Sequence, residues 1–450
     1  MTVYWTRRTI TKSVALGIAG SLLGRARAVL SAEGAGVSRE FDISTYDSIL
    51  LPREHGQLTS SLAPIFRRYP SRDHCMQMAA FFSAKKGLLV FSKDADGQSS
   101  DWAIYPRRKL RITFHGKTPE VEAVEIPPTI EAAAAVYREW ALKQTWASWT
   151  KAHKNDFSWC VVASSPDSDV QGRYLDEIYA DFPRPIGVWF TQYRRHAFDT
   201  MYPDYRARDE GGFGLLMRRA RAAGAVALPY VNGLLWDQRL ESFRAIGNRV
   251  AVRGRFGGLI SYSNTLQDLC YACPASPEWR EIIRKARGAL NDLDGQRAGG
   301  IYLDMVLATP PLVCWSDQHG HEPGDPNAWQ QGIRELLGEM AGVVVSEGCA
   351  EVYLDKTSYA LMHLYSQSSD SVPLWRRVYG AGPPSLGWSL PTDVSVARLQ
   401  GELGRIRQFG TAAMGSPWMT KIPEQTLMTS GVRRLLHDEL RRSHETSGAG

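Results

Sequence analysis

The chain has 450 residues, of which 44% are apolar and 22% charged, a globular composition that excludes a disordered or collagen-like chain. Its formal charge is +6, but Arg7, Arg8, Lys12, Arg25 and Arg27 all precede the first acid, Glu33. Without them the net charge is about +1, which argues against a nucleic-acid footprint.

The N-terminus predicts export. "TRRTITK", residues 6–12, resembles the twin-arginine signal pattern, and the apolar run at 14–23 is too short to span a bilayer core of about 30 Å. No stable membrane span is expected. "ARA" at 26–28 offers a cleavage site and "LSA" at 30–32 a second; an ordinary Sec signal is the competing reading. Either signal predicts a periplasmic or secreted bacterial protein. The twin-arginine reading makes that export machinery a partner and residues 1–28 a removable segment.

Residues 33–128 read as a β-sandwich. In "LRITFHG" Leu110, Ile112 and Phe114 alternate with Arg111, Thr113 and His115, and "GLLVFSKDADG" ends in an Asp-Gly turn. Thr129 is placed to cap the alanine-rich "IEAAAAVYREW", which opens a helical connector over 129–184.

From 185 to 450 the rhythm is strand, loop, helix, strand, which predicts a parallel sheet and, from its length, an α/β fold of the (β/α)8 TIM-barrel type. "IGVWFTQY", "AVALPYVNG" and the weaker "GGLISYSN" are the first three strand candidates. Ser276 and Pro277 start a helix toward Leu293, and "GIYLD" follows. Asp325 and Pro326 start another helix, with Trp329, Ile333, Leu336, Leu337 and Met340 as its buried stripe, before "VVVSEG". "VPLWRRVYG", a helix over 394–408, "TAAMGSPWM" and a C-terminal helix continue the series.

The six cysteines do not form a disulfide scaffold in a chain this long. Cys270 and Cys273 make a CxxC, but no second CxxC or CxxH completes a zinc site. Buried thiols, no bound metal and no organic cofactor are the expectation.

Asp304 closes the fourth candidate strand and Glu347 the fifth, and catalytic groups of such barrels sit at the carboxyl ends of strands. Adjacent strands lie about 4.8 Å apart, so two such carboxyls approach the 5–5.5 Å separation of retaining glycosidases. An acid at a strand end also suits a helix cap or a metal ligand.

"YREWALKQTW", "CPASPEWREII", "GGIYLDMV", "HGHEPGDPNAWQQGIRELL" and "VVVSEGCAEVYLD", in this order, resemble a family of largely uncharacterised bacterial proteins assigned to the glycoside hydrolase barrels. The domain plan and the Asp-then-Glu order are distantly similar to the barrel of endo-α-N-acetylgalactosaminidases. The resemblance implies Asp304 as nucleophile and Glu347 as acid/base, with Glu351, four residues on, as a rival for the second role.

The loop after Asp304 carries Trp315, suited to stack on a pyranose, and His319 and His321, suited to bond ring hydroxyls. Tyr193, Asn232, Trp236 and Asp237, near the ends of earlier strands, are further candidates to bind substrate, whereas Trp189 reads as core. Together these predict an exported, retaining glycoside hydrolase with a carbohydrate substrate. Two alternatives stay open: a metal-dependent barrel hydrolase using His319, His321 and nearby Asp317, and a non-catalytic carbohydrate-binding protein.

Overall fold

The computed structural model describes residues 36–415, except 61–62, 106–107, 152–156, 158, 164, 166, 182–184, 263–267, 295–298, 363–369, 381–384 and 391–395, together with 434–435 and 437–438. The expected signal segment, 1–28, lies outside the described residues, as does most of the expected C-terminal helix.

Nine strands come first: β1 (Val37–Asp42), β2 (Ser48–Leu51), β3 (Gln57–Thr59), β4 (Ile65–Tyr69), β5 (Met78–Phe82), β6 (Gly87–Ser92), β7 (Ser100–Tyr105), β8 (Lys109–Phe114) and β9 (Val121–Ile126). They form two antiparallel sheets, ordered β1-β8-β7-β4 and β3-β2-β5-β6-β9. β8 buries Leu110, Ile112 and Phe114 and exposes Lys109 and Arg111, as the alternation requires. β5, "MAAFF", lies between two neighbours and is buried at every position. Thr129 then caps α1 (Ile130–Ala141), its side chain accepting from the Ala132 amide at 3.2 Å.

Ten further strands follow: β10 (Trp159–Ala163), β11 (Ile186–Phe190), β12 (Val226–Asn232), β13 (Leu235–Asp237), β14 (Leu269–Tyr271), β15 (Gly300–Asp304), β16 (Val343–Glu347), β17 (Tyr359–Met362), β18 (Ser385–Leu390) and β19 (Thr411–Gly415). All except the β13–β14 hairpin pair in parallel, and β10 pairs with β19, so eight strands close into a ring. Short, wholly apolar strands such as β10 and β11 are what a ring buried on both faces demands. Around it lie α2 (Ser168–Asp181), α3 (Glu210–Ala222), α4 (Pro277–Asp294), α5 (Ala328–Gly338), α6 (Leu374–Tyr379) and α7 (Val396–Phe409). Between β16 and β17 the crossover is only a 3-10 helix, Glu351–Lys356, so a full set of eight α-helices is not present among the described residues. No helix among them is long and apolar enough to cross a membrane.

The ring begins earlier than position 185. The stretch expected as a helical connector, 129–184, holds α1, then β10 and α2. The five apolar residues of β10 have no period that distinguishes a buried strand from a helix core. "GGLISYSN" is not a ring strand; its described part makes only isolated bridges. "VPLWRRVYG" forms α6, because Leu374, Trp375, Val378 and Tyr379 are buried at helical spacing. The overlooked β10 and the discarded "GGLISYSN" cancel, so Asp304 still closes the fourth ring strand and Glu347 the fifth.

Candidate active site

Strand register brings the two carboxylates together. Asn232 of β12 is the partner of Asp304, while Leu303 pairs with Ser346 of β16, so Asp304 and Glu347 come next on neighbouring strands. Asp304 Oδ2 accepts from the Tyr230 hydroxyl at 2.8 Å and the Asn232 amide at 3.4 Å, and Oδ1 from the Tyr302 hydroxyl at 3.4 Å. Glu347 Oε1 accepts from Arg72 Nη1 at 3.1 Å, and Oε2 from the Met305 amide at 3.2 Å. Met305 has φ +66°, a left-handed conformation costing roughly 1–2 kcal/mol in an L-residue. In that conformation the amide directly after Asp304 reaches Glu347. Gly348 follows at φ +76°, and a Cβ there would lie 2.8 Å from Ala308 Cα and N. The loops after β15 and β16 therefore touch through backbone, and only glycine fits.

A third carboxylate joins them. Asp199, in the loop after β11 at φ +56°, accepts from the Tyr202 hydroxyl at 3.2 Å, and that hydroxyl lies 2.8 Å from the Tyr230 hydroxyl. Two tyrosines thus connect Asp199 to Asp304. Burial, then the negative charges of Glu347 and Asp199, raise the Asp304 pKa well above the ordinary aspartate value, against the opposing hydrogen bonds of Tyr230 and Tyr302. Burial likewise raises Asp199. Acids that resist ionising together share protons, which is the usual raw material of acid–base catalysis.

The other expected substrate contacts divide. Asn232 is buried beside Asp304, and its Oδ1 accepts the Leu234 and Leu235 amides at 3.1 and 3.0 Å, which fixes its amide toward the aspartate. Trp315 is 39% exposed, with Arg255 over its ring at 5.6 Å. Tyr193 is buried instead, donating to the Tyr230 carbonyl at 2.9 Å and stacked on Phe213. Trp236 is core packing against Trp279 and Phe243. Asp237 has no exposed surface; it accepts the Met201 amide at 2.8 Å and pairs with Arg239, bracing the loop that carries Asp199. His319 is wholly buried, and His321 faces Cys273. Residues near strand ends point alternately into the mouth and into the wall, and sequence position alone does not say which.

Glu351 is excluded from the mouth. It is fully buried, accepting from the Tyr137 and Tyr379 hydroxyls and the Gln77 amide, and burial raises its pKa to about 7. It ties the N-terminal sheets and α1 to the ring.

The His-x-His pair also departs from expectation. Its rings converge with Cys273 and Cys314, all four ligand atoms lying within 4.8 Å of one another. Asp317 is exposed and outside the group, while Cys270 bonds the Trp236 carbonyl. The two histidines of the metal alternative thus meet a possible ligand set, but with Cys273 and Cys314 in place of Asp317, split across two loops rather than within the CxxC. An ion bound by all four would have no open position for water, so this set does not favour a metal-dependent hydrolase at this loop.

Arg72, Asp199, Tyr202, Tyr230 and Tyr302 are the functional candidates absent from the sequence expectations. Tyr230 was accessible there, lying two positions before Asn232 on the same strand face. Arg72 comes from the N-terminal sheets, and nothing in its local pattern links it to the barrel.

A ring of parallel strands with carboxylates at its carboxyl-end mouth is an architecture shared with glycosidase barrels. The chain superposes on the α-N-acetylgalactosaminidase NagBb from Bifidobacterium bifidum with a TM-score of 0.68, at 13% identity, over 89% of this chain and 75% of that one. On the GH36 α-galactosidase AgaA from Geobacillus stearothermophilus the TM-score is 0.61, at 9% identity, over 91% and 62%. At these identities the likeness is one of fold.

The chain belongs to the DUF6259 family, a domain of unknown function, whose model matches residues 129–389. It is 25% identical over 266 residues to a Bacteroides thetaiotaomicron protein named "Putative glycoside hydrolase", covering 55% of this chain and 39% of that protein. A similarly named Monosiga brevicollis protein is 26% identical over 208 residues, 41% of this chain and 17% of its own length. The chain therefore spans well under half of either relative.

Proposed function

We propose that this protein is an exported glycoside hydrolase whose strand ring acts as a catalytic (β/α)8 barrel and cleaves an O-glycosidic bond with retention. The observation that carries this reading is the pairing of Asp304 and Glu347 on neighbouring strand ends, with Glu347 bonded to the amide that follows Asp304. Asp304 attacks the anomeric carbon while Glu347 gives its proton to the departing oxygen, leaving a glycosyl ester on Asp304. Water then attacks the same carbon, Glu347 takes the water proton, and Asp304 is released. Tyr230, Tyr302 and Asn232 hold the nucleophile in place, and Arg72 and the Met305 amide orient Glu347. Asp199 is suited to accept a ring hydroxyl, and the exposed Trp315 to meet an apolar sugar face.

The test is turnover of aryl glycosides by the mature protein, with α-N-acetylgalactosaminides and α-galactosides first because two proteins of this fold act on such sugars. NMR should show the first-formed sugar with the anomeric configuration of the substrate. Inversion would remove Asp304 as nucleophile, and saturable binding without turnover across the panel would favour the non-catalytic reading.

A further inference from the structure

We propose that Cys273, Cys314, His319 and His321 form a structural zinc site that fastens together the loops after β12 and β15. Cys273 closes the β13–β14 excursion, and the other three lie on the long loop between Asp304 and α5. Cys273 Sγ is 3.5 Å from His321 Nε2, and Cys314 Sγ is 3.3 Å from His319 Nδ1. A tetrahedral ion with zinc–sulfur bonds near 2.3 Å and zinc–nitrogen bonds near 2.0–2.1 Å sets its sulfur and nitrogen ligands about 3.6 Å apart. Both pairs sit near that separation, and they converge on one point.

The surroundings fit a cation. His321 Nδ1 lies 2.9 Å from the Glu322 carbonyl oxygen, which can only accept, so the ring proton sits on Nδ1 and the Nε2 lone pair faces Cys273. Orientation of a ligating histidine by a carbonyl on its other nitrogen is a recurring feature of metal sites. His319 is wholly buried and turns its Nδ1 toward Cys314 Sγ. The Arg253 amide lies 3.5 Å from Cys314 Sγ, a donor suited to a thiolate. Gly320, at φ +77°, lets the chain turn between the two histidines. Two thiolates neutralise a divalent ion, so the closed site carries no net charge, and each thiol releases a proton as the metal binds.

The ion has mechanical work to do. Residues 305–327 form an unusually long connection without regular structure, and it starts at the proposed nucleophile. Arg68 holds it through the Pro311 carbonyl at 3.2 Å, and the Ser99 amide holds its end through Asn327 Oδ1 at 3.0 Å. The metal would reinforce its tie to the β13–β14 excursion, where the Trp315 amide already donates to the Arg253 carbonyl at 2.8 Å. This inference does not depend on the glycosidase reading.

The experiment is elemental analysis of the untagged full-length protein purified without chelator, with about one zinc per chain expected. Cys273→Ser and His321→Asn should each reduce bound zinc severalfold, whereas Cys270→Ser, changing the other half of the CxxC, should keep it. Cobalt replacing the zinc should give the intense ligand-field and thiolate charge-transfer bands of a tetrahedral sulfur–nitrogen site. In the wild type, Cys273 and Cys314 should resist alkylation until a chelator is added. Protein without stoichiometric metal whose Cys273 and Cys314 are joined in a disulfide, or label as quickly without chelator as with it, would overturn the proposal. That readout stands even if a substituted variant fails to fold.

Discussion

Two glutamates four residues apart end in opposite environments. Glu347 stays partly open at the mouth, held by Arg72 and the Met305 amide, while Glu351 is sealed beneath Tyr137, Tyr379 and the Gln77 amide. The turn at Gly348 separates them: Glu347 ends a strand pointing to the opening, and Glu351 starts a 3-10 helix directed into the contact between sheets and ring. A carboxylate that donors orient but leave reachable can exchange protons with a substrate, whereas a sealed one holds parts of the fold together.

The sharpest way to break this comparison is at the mouth itself. Asp304→Asn should lower turnover by several powers of ten, since an amide cannot form the glycosyl ester. Thermal denaturation should show the melting temperature unchanged or raised, because the substitution removes a buried group whose ionised form is disfavoured.

Glu347→Gln should come next, with a loss of about 10²–10⁴-fold on substrates with poor leaving groups and a much smaller loss on activated aryl glycosides. Glu351→Gln should leave both rates close to wild type. Equal losses from the two substitutions, measured on matched substrates, would erase the distinction.

Tyr230→Phe should cost less, of the order of tenfold, with an informative change in pH dependence. The Tyr230 hydroxyl donates to ionised Asp304 and lowers its pKa, so removing it moves the acid limb of kcat/KM to higher pH. An unmoved acid limb would detach that limb from Asp304.

The last effect concerns stability rather than turnover. Because the native state raises the Glu351 pKa from 4.5 to about 7, it binds that proton more tightly than the unfolded chain does. Stability should therefore be greatest below about pH 4.5 as far as this group is concerned, and fall as pH rises toward 7, by roughly 3 kcal/mol at most. Denaturant melts of Glu351→Gln should lack that component of the slope.

The regular parts of the fold were legible where they were long or strictly periodic. The alternation in β8, the Thr129 cap and the stripe of α5 each express one face of one element. β10 and β17, buried at every one of their five and four positions, show no alternation to read, and tertiary pairing alone defines them. At the site, Asp304 and Glu347 were readable because an acid closing an apolar run is conspicuous. Arg72 and Asp199 were not, since they reach the mouth through contacts between distant segments. His319 and His321 were readable as possible ligands, but their cysteine partners were not, for the same reason: Cys273 and Cys314 are 41 positions apart, outside any short motif.

The most direct test of the account is to trap its covalent intermediate. The protein would be incubated with activated fluorosugars matched to whichever aryl glycoside it turns over, then digested and mapped by mass spectrometry. The account predicts one sugar per chain, on Asp304, with no adduct in Asp304→Asn. A stable adduct on another carboxylate, Asp199 or Glu347 among them, would contradict it.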